Sequence, residues 1–145
     1  MTTSELKKII EKDLTIDSTE LGAESLKAPQ LHNKYLCFLL DEKHNLSLME
    51  SVLRTVEKDK WLYYTGKMSE EDLKKHNWEP FDLAVIRQDA DRFIESDKDY
   101  SDMLIKVNQQ KEKVNYLESV VKIMSNRAWN IKSALDWIKF TQGIV

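Results

Sequence analysis

The chain has 145 residues, of which 32% are charged and 41% hydrophobic, and its formal net charge is −3. Three glycines and two prolines are too few for the tight turns of a β-sandwich or a β-barrel. The composition therefore predicts an all-α protein built from long amphipathic helices. The slightly acidic balance gives no general sign of a nucleic-acid ligand.

The N-terminal third is predicted to begin with two helices. Thr2 and Glu5 have the spacing of a capping box, which predicts a helix over residues 4–14. Asp17 or Ser18 is expected to cap a second helix. Pro29 lacks a backbone donor, so we expect it to kink or restart that helix.

Residues 29–66 fit either one long helix or a helical hairpin. Apolar residues keep helical spacing on both sides of a polar stretch at 41–45. This polar stretch, followed by Ser47 and Glu50 at capping positions, favours the hairpin. Within the first half, Cys37 lies in an apolar run and is expected to be buried. Gly66 is expected to end the segment in a left-handed conformation.

A polar connector is predicted at 67–82, with one helical turn at 70–75, and a C-terminal helical region at 83–145. The clearest pattern of the C-terminal region is a run of mostly apolar residues spaced alternately three and four apart, which is typical of a helix packed along a seam. One helix over residues 100–138 would measure ~60 Å, at 1.5 Å per residue. Because a compact domain of this size is only roughly 30–40 Å across, the helix either folds back or is buried by other subunits. We expect oligomerisation through Val114, Leu117, Val121, Met124, Ile131, Leu135 and Ile138; an ordinary buried helix of a monomeric bundle is the alternative.

No residue pattern indicates an enzyme, a metal site or a cofactor. The three histidines are scattered, no phosphate-binding glycine motif occurs, and Asp97 and Asp99 lack the glycine and glutamate of a calcium loop. We expect these two acids to start the C-terminal helix. The lone cysteine, the lack of a signal peptide and the lack of a run of about 20 apolar residues predict a cytoplasmic protein with no membrane segment.

Residues 54–67 alternate basic and aromatic side chains, a pattern that suits single-stranded nucleic acid because cations follow phosphates and rings stack on bases. Arg54 and Lys58 share one helical face, and Lys60 lies on another. Glu57 and Asp59 offset part of the charge. The aromatic residues Trp61, Tyr63 and Tyr64 would serve either as a stacking platform or as core.

Five short motifs of the chain match the patterns of one protein family. Lys12-Asp13-Leu14-Thr15-Ile16-Asp17-Ser18-Thr19-Glu20-Leu21 is similar to K-D-x-x-I-D-S-T-x-L, and Lys34-Tyr35-Leu36 to K-W-L. Lys58-Asp59-Lys60 followed by Tyr63-Tyr64-Thr65-Gly66 is similar to K-x-R-x-x-Y-Y-S-G. Asp97-Lys98-Asp99 is similar to D-K-D, and Arg127-Ala128-Trp129-Asn130-Ile131-Lys132 to R-G-F-x-I-K. Through these motifs the chain resembles the UvsY family of phage recombination mediator proteins.

The resemblance implies an accessory protein of DNA recombination and repair that acts in the host cell cytoplasm. Family members bind single-stranded DNA as rings of six or seven subunits and load a RecA-like recombinase onto strands coated by single-strand-binding protein. The resemblance also implies that Lys58 and Lys60 contact DNA. Lys60 is a lysine where the family pattern has arginine. We expect Arg54, Arg127 and Lys132 to contribute as well.

These predictions assign residues 1–66 to an N-terminal helical DNA-binding region, 67–82 to the connector and 83–145 to a C-terminal helical oligomerisation region with coiled-coil-like packing in a ring. The alternative is a helical coiled-coil adaptor or structural protein that binds only proteins.

Overall fold

The computed structural model describes residues 1–81 and 89–143, and all regular elements in these two ranges are helices. They are α1 (Thr3–Leu14), α2 (Leu21–Tyr64), α3 (Glu70–His76), α4 (Ala90–Ser96), α5 (Lys98–Ser125) and α6 (Arg127–Thr141). The predicted all-α fold class is therefore confirmed. Among the described residues, no helix combines the length and apolar character needed to cross a lipid bilayer.

The chain divides into two compact units that do not coincide with the three predicted regions. Unit 1 contains residues 1–43 and 112–145, and unit 2 contains residues 44–111. Helix α2 has one segment in unit 1 and another in unit 2, and so has helix α5. The two ends of the chain thus belong to the same unit, because their helices share contacts that sequence order does not reveal.

The helix boundaries confirm several local signals. Thr2 and Glu5 form the predicted capping box, and Asp97 caps α5 by accepting a hydrogen bond from the backbone amide of Tyr100. The helical turn predicted in the connector is α3. Gly66 follows α2 with φ of +71°, a conformation that glycine adopts without a Cβ clash.

Three expectations for α2 are wrong: the hairpin, the cap at Asp17 or Ser18 and the burial of Cys37. The helix is continuous through residues 41–45, so it is not folded into a hairpin, and it also continues past Pro29 without the restart that was one of two outcomes expected there. It begins at Leu21, because Asp17 accepts bonds from the amide and hydroxyl of Thr19 and forms a turn before the helix. Cys37 is exposed, since it lies on the side of α2 opposite the buried Tyr35 and Leu39 positions.

Two ion pairs join the polar stretch of α2 to a neighbouring helix. In unit 1, Lys43 pairs with Glu118 at 3.2 Å and Glu42 with Lys113 at 3.2 Å. Both partners lie on α5, so these contacts hold the predicted turn region against a neighbouring helix. Tertiary contacts here override the weak local preference for a turn.

The core of unit 1 is apolar and closed at one end by a polar cluster. It buries Leu6, Ile10, Ala28, Tyr35, Leu39, Val114, Leu117, Val120, Met124 and Ile131. Near the C-terminal end of α1, Asp13 accepts hydrogen bonds from Lys34 Nζ at 2.6 Å and from Tyr35 Oη at 2.7 Å. Burial acts to raise the pKa of Asp13, but these two bonds and the charges of Lys34 and Lys12 together lower it more.

A buried arginine joins α6 to this same end of unit 1. Arg127 is 3% exposed, and its guanidinium donates to Glu24 Oε2 at 2.7 Å and to the backbone carbonyls of Asp13 and Thr15 at 2.8 and 3.1 Å. The bond from Arg127 lowers the pKa of the Glu24 carboxyl. The carbonyls lie at the C-terminal end of α1, where a cation also stabilises the helix dipole.

The lowered pKa values of Asp13 and Glu24 predict a loss of stability in acid. Their ordinary pKa values are 3.8 and 4.5, so the unfolded chain binds protons at a higher pH than the folded one does. The free energy of unfolding should therefore stay level down to about pH 5 and fall below it. Urea denaturation between pH 7 and pH 3 measures this profile.

Replacing Arg127 by Met should make the acid loss smaller, because Glu24 then has no strong partner and its pKa rises toward the ordinary value. The variant should also be less stable than the original chain at pH 7. Lys132→Met, on an exposed position of the same helix, is the matched control. An identical acid profile for the original chain and Arg127→Met would contradict the assigned ion pair.

Candidate nucleic-acid interface

One face of α2 in unit 2 carries an open cleft with two exposed cations. The spacing of Arg54, Lys58 and Trp61 places them one turn after another on the same side of the helix. Arg54 and Lys58 are exposed, and Trp61 is half-buried. The cleft has a volume of about 330 Å³ and is lined by Arg54, Glu57, Lys58 and Trp61 of α2 and by Asp91 and Ile94 of α4.

The cleft has mixed charge and an aromatic end. Glu57 and Asp91 offset the charges of Arg54 and Lys58. Beside the aromatic end, Lys67 Nζ lies 4.8 Å from the centroid of the Trp61 ring. Cations next to an aromatic ring can hold phosphates while a base packs nearby, but the acids limit how strongly one subunit attracts a polyanion.

Lys60, the second cation of the K-x-K motif, lies on a different side of α2 and is 5% exposed. Its Nζ is 2.9 Å from Asp99 Oδ2 and 3.2 Å from Asp97 Oδ2. The same atom lies 3.9 Å from the centroid of the Trp78 ring. The charge of Lys60 is therefore compensated inside unit 2.

Asp97 connects Lys60 to the tyrosine pair. Tyr64 Oη donates to Asp97 Oδ2 at 2.6 Å. Burial acts to raise the pKa of Asp97, but the bonds from Tyr64, the Tyr100 amide and Lys60 lower it more. Burial and the bond to Asp97 raise the pKa of Tyr64. Three sequence motifs, at 58–60, 63–66 and 97–99, thus form one polar cluster.

The two tyrosines face an aromatic cluster of unit 2. The Tyr63 ring centroid lies 5.2 Å from that of Trp78, and the Tyr64 centroid lies 5.0 Å from Phe81 and 5.5 Å from Phe93. Tyr63 Oη donates to the backbone carbonyl of Glu79 at 2.7 Å. These contacts therefore favour the interpretation of Tyr63 and Tyr64 as core residues over their interpretation as a stacking platform.

The two cations predicted near the C-terminus differ in environment. Arg127 is buried in the ion pair with Glu24 described above, and its Nε has no hydrogen-bond partner among the described residues. Lys132 is exposed on α6, with its Nζ 5.8 Å from the centroid of the Trp129 ring. Of these two, Lys132 is the one whose charge faces solvent.

Most of the predicted oligomerisation stripe lies inside unit 1. Val114, Leu117, Met124 and Ile131 are buried there. Val121 and Ile138 are half-buried, and Leu135 is 41% exposed. The subunit thus covers much of a surface that we expected other subunits to cover.

A second apolar set on α6 is more exposed. Trp129 and Trp137 are each 66% exposed, and Phe140 is 76% exposed. This set was not predicted as one surface from the sequence. Positions 129, 133, 137 and 140 are four, four and three residues apart, and this helical spacing is the sequence signal that identifies the set.

No group of histidine, cysteine or carboxylate side chains within residues 1–81 and 89–143 is arranged to hold a metal ion.

Comparison with solved structures identifies the fold. Crystal structures of the recombination mediator protein UvsY of bacteriophage T4 match in three lattice types. The type II form has 20% sequence identity and a TM-score of 0.84, with 98% of each chain covered. The type IV form has the same identity and TM-score over 97% of this chain and 99% of the other. The type I form, also 20% identical, has a TM-score of 0.82 over 94% and 98%.

Comparison of sequences supplies the family. No curated protein sequence matches significantly. A sequence model of the family described as "Recombination, repair and ssDNA binding protein UvsY" matches residues 9–144. This range includes all five motifs, from Lys12 to Lys132, and the chain belongs to the UvsY family.

Proposed function

We propose that this chain is a recombination mediator that binds single-stranded DNA as a ring of six or seven subunits. In this role it promotes loading of a RecA-like recombinase onto strands coated by single-strand-binding protein, and it has no catalytic step of its own. The family description names recombination, repair and single-stranded DNA binding. The observation in the chain itself that carries the proposal is the exposed Arg54–Lys58 pair beside Trp61.

In this proposal Arg54 and Lys58 contact DNA phosphates directly. They are exposed, adjacent on one face of α2, and next to an aromatic side chain. Lys60 has a positioning role instead, because it is ion-paired with Asp97 and Asp99 and lies over Trp78. A DNA phosphate would have to compete with two carboxylates for its ammonium group.

The C-terminal cations divide in the same way. Lys132 is exposed and available as a secondary phosphate contact. Arg127 is a positioning residue, since moving it to DNA would leave Glu24 without its partner and remove the bonds to the end of α1. Removing one member of a buried pair carries a large cost, which opposes such a movement.

Assembly compensates for the weak charge of one cleft. A cleft with two cations and two acids should bind a strand poorly, and each phosphate contact weakens as salt rises. When one subunit of a ring has bound, the next contacts are intramolecular, so avidity increases steeply. A strand held at several points is then bent or wrapped, which loosens the coat protein and frees a site for the recombinase filament.

We predict that replacing Arg54 and Lys58 together by Ala weakens single-stranded DNA binding at low salt. The slope of log affinity against log salt should become shallower by about 1.4 for each subunit that contacts the strand, since two phosphate contacts are lost. Fluorescence anisotropy with a labelled oligonucleotide over a range of salt concentrations measures both quantities.

The matched control is Lys75→Ala with Lys106→Ala, which removes the same charge from exposed positions of unit 2 outside the cleft. It should reduce affinity much less. Equal losses in the two double variants would mean that only net charge matters. If the original chain ignores single strands at low salt, the protein is instead an adaptor that binds only proteins.

The mediator role predicts a matching loss of activity. The Arg54, Lys58 double variant should fail to stimulate recombinase filament formation on strands coated by single-strand-binding protein, while the control double variant retains stimulation. Filament formation can be followed by the DNA-dependent ATPase of the recombinase. Full stimulation by a variant that no longer binds DNA would separate the mediator role from this cleft.

Lys60 should behave differently from Lys58. Lys60→Met keeps a side chain over Trp78 but leaves the buried Asp97 without its cation. We expect a loss of about 2–3 kcal/mol in the free energy of unfolding, less than for a fully buried pair because Asp99 is exposed. Lys60→Arg should restore most of this stability, whereas Lys58→Met should leave stability unchanged.

Urea denaturation and DNA affinity, measured on the same samples, separate the two roles. A Lys60→Met variant with unchanged stability and a large loss of affinity would assign Lys60 to direct DNA contact.

A further inference from the structure

Helix α6 has two different surfaces on its opposite sides. The groove face is formed by Ala128, Ile131, Lys132 and Leu135, and the aromatic face by Trp129, Ser133, Trp137 and Phe140. At 3.6 residues per turn, the centres of these two sets lie on nearly opposite sides of the helix. The aromatic face therefore cannot fold into the groove of its own subunit while α6 keeps its position.

The groove lies in unit 1, between the first turns of α2 and the α5–α6 junction. It consists of two neighbouring cavities, of about 280 and 450 Å³, that share Ser25 and Ala128. Small and apolar side chains provide most of the lining, with His32 and Lys132 as polar members. The other lining residues are Leu21, Gly22, Ala28, Pro29, Met124, Ser125, Ile131 and Leu135.

The aromatic face is the opposite in shape, because its large rings protrude. Trp137 and Phe140 stack with ring centroids 5.9 Å apart, and both remain mostly exposed. Each aromatic side chain can bury 150–250 Å², so the exposed parts of three of them offer roughly 300–500 Å². This is more than a third of the ~800 Å² that each partner buries in an interface of standard size.

We infer that the aromatic face of one copy occupies the groove of the next copy. The inference rests on the proposed ring assembly and names the two surfaces that form it. One chain carries both a concave apolar groove and a convex apolar face, so a second copy supplies the fit without any further partner.

The geometry of this contact has a consequence for assembly. A contact between two different surfaces is head-to-tail, so each copy binds one neighbour through its groove and another through its aromatic face. Such contacts form a ring when the rotation between copies closes, and an open filament when it does not. The opposite positions of the two surfaces on α6 allow both contacts to exist at once.

The test uses two variants, each lacking one surface. Trp137→Ala with Phe140→Ala removes two of the three rings of the aromatic face, and Ala128→Arg blocks the groove at one of the two residues that its cavities share. The substituted residues are exposed, so circular dichroism should show folded helices. Ser25→Arg, which blocks the groove from α2, replaces Ala128→Arg if the latter is unfolded.

Each variant alone should lose the higher assembly and have the subunit mass of 17.1 kDa in native mass spectrometry. An equimolar mixture should yield a species of twice that mass and nothing larger. In this mixed dimer the intact aromatic face of the groove variant occupies the intact groove of the other variant, and no further copy can be added.

Other outcomes overturn the inference. A mixture that stays monomeric shows that the two surfaces do not bind each other. If the groove variants assemble normally while the aromatic variant does not, the aromatic faces pair with one another and the groove is left for a different occupant. Assembly by both variants excludes both surfaces.

Leu40→Ser is the control, because Leu40 is 66% exposed and belongs to neither surface. It should assemble like the original chain; loss of assembly here would mean that exposed apolar residues in general hold the copies together, against the inference. Ring formation by the original chain with a failed mixing test would leave the proposed function standing. Absence of any assembly by the original chain would remove the ring from both.

Discussion

A buried cation paired with a carboxylate from a distant part of the sequence ties the helices together in each unit. In unit 1, Arg127 of α6 reaches Glu24 of α2 and the carbonyls at the end of α1, so three helices meet at one guanidinium. In unit 2, Lys60 of α2 meets Asp97 and Asp99 at the start of α5. Because a buried charge without its partner is costly, removing either member of these pairs should destabilise the arrangement of helices in its unit.

This constraint changes how the basic residues are understood. Sequence patterns present Lys58, Lys60, Arg54, Arg127 and Lys132 as equivalent cations, but the folded chain compensates Lys60 and Arg127 internally. Of these five, Arg54, Lys58 and Lys132 remain exposed, and Glu57 and Asp91 partly offset the first two at the cleft. In the proposed assembly this weak site is repeated, so a strand could be held firmly at several sites yet released from each one.

The same division applies to the apolar residues of the C-terminal region. Val114, Leu117, Met124 and Ile131 are buried within unit 1, as are α1 and α2 residues such as Ile10 and Tyr35. In the proposed assembly, the aromatic face and the groove of α6 are the apolar surfaces that other copies cover, while Leu26, Leu40 and Ile123 are exposed elsewhere in unit 1. Folding and assembly would then use different sides of α6.

The sequence by itself determined the helical class, the capping box of α1, the end of α2 at Gly66, the start of α5 at Asp97 and the family motifs. Each of these depends on residues within a few positions of one another, or on a pattern along one helix. Only the tertiary structure decided that α2 is continuous, that the two ends of the chain share one unit, and which cations are compensated. These outcomes depend on ion pairs between residues 39 to 103 positions apart in the chain, such as Lys60–Asp99 and Glu24–Arg127. Local residue spacing does not reveal such long-range contacts.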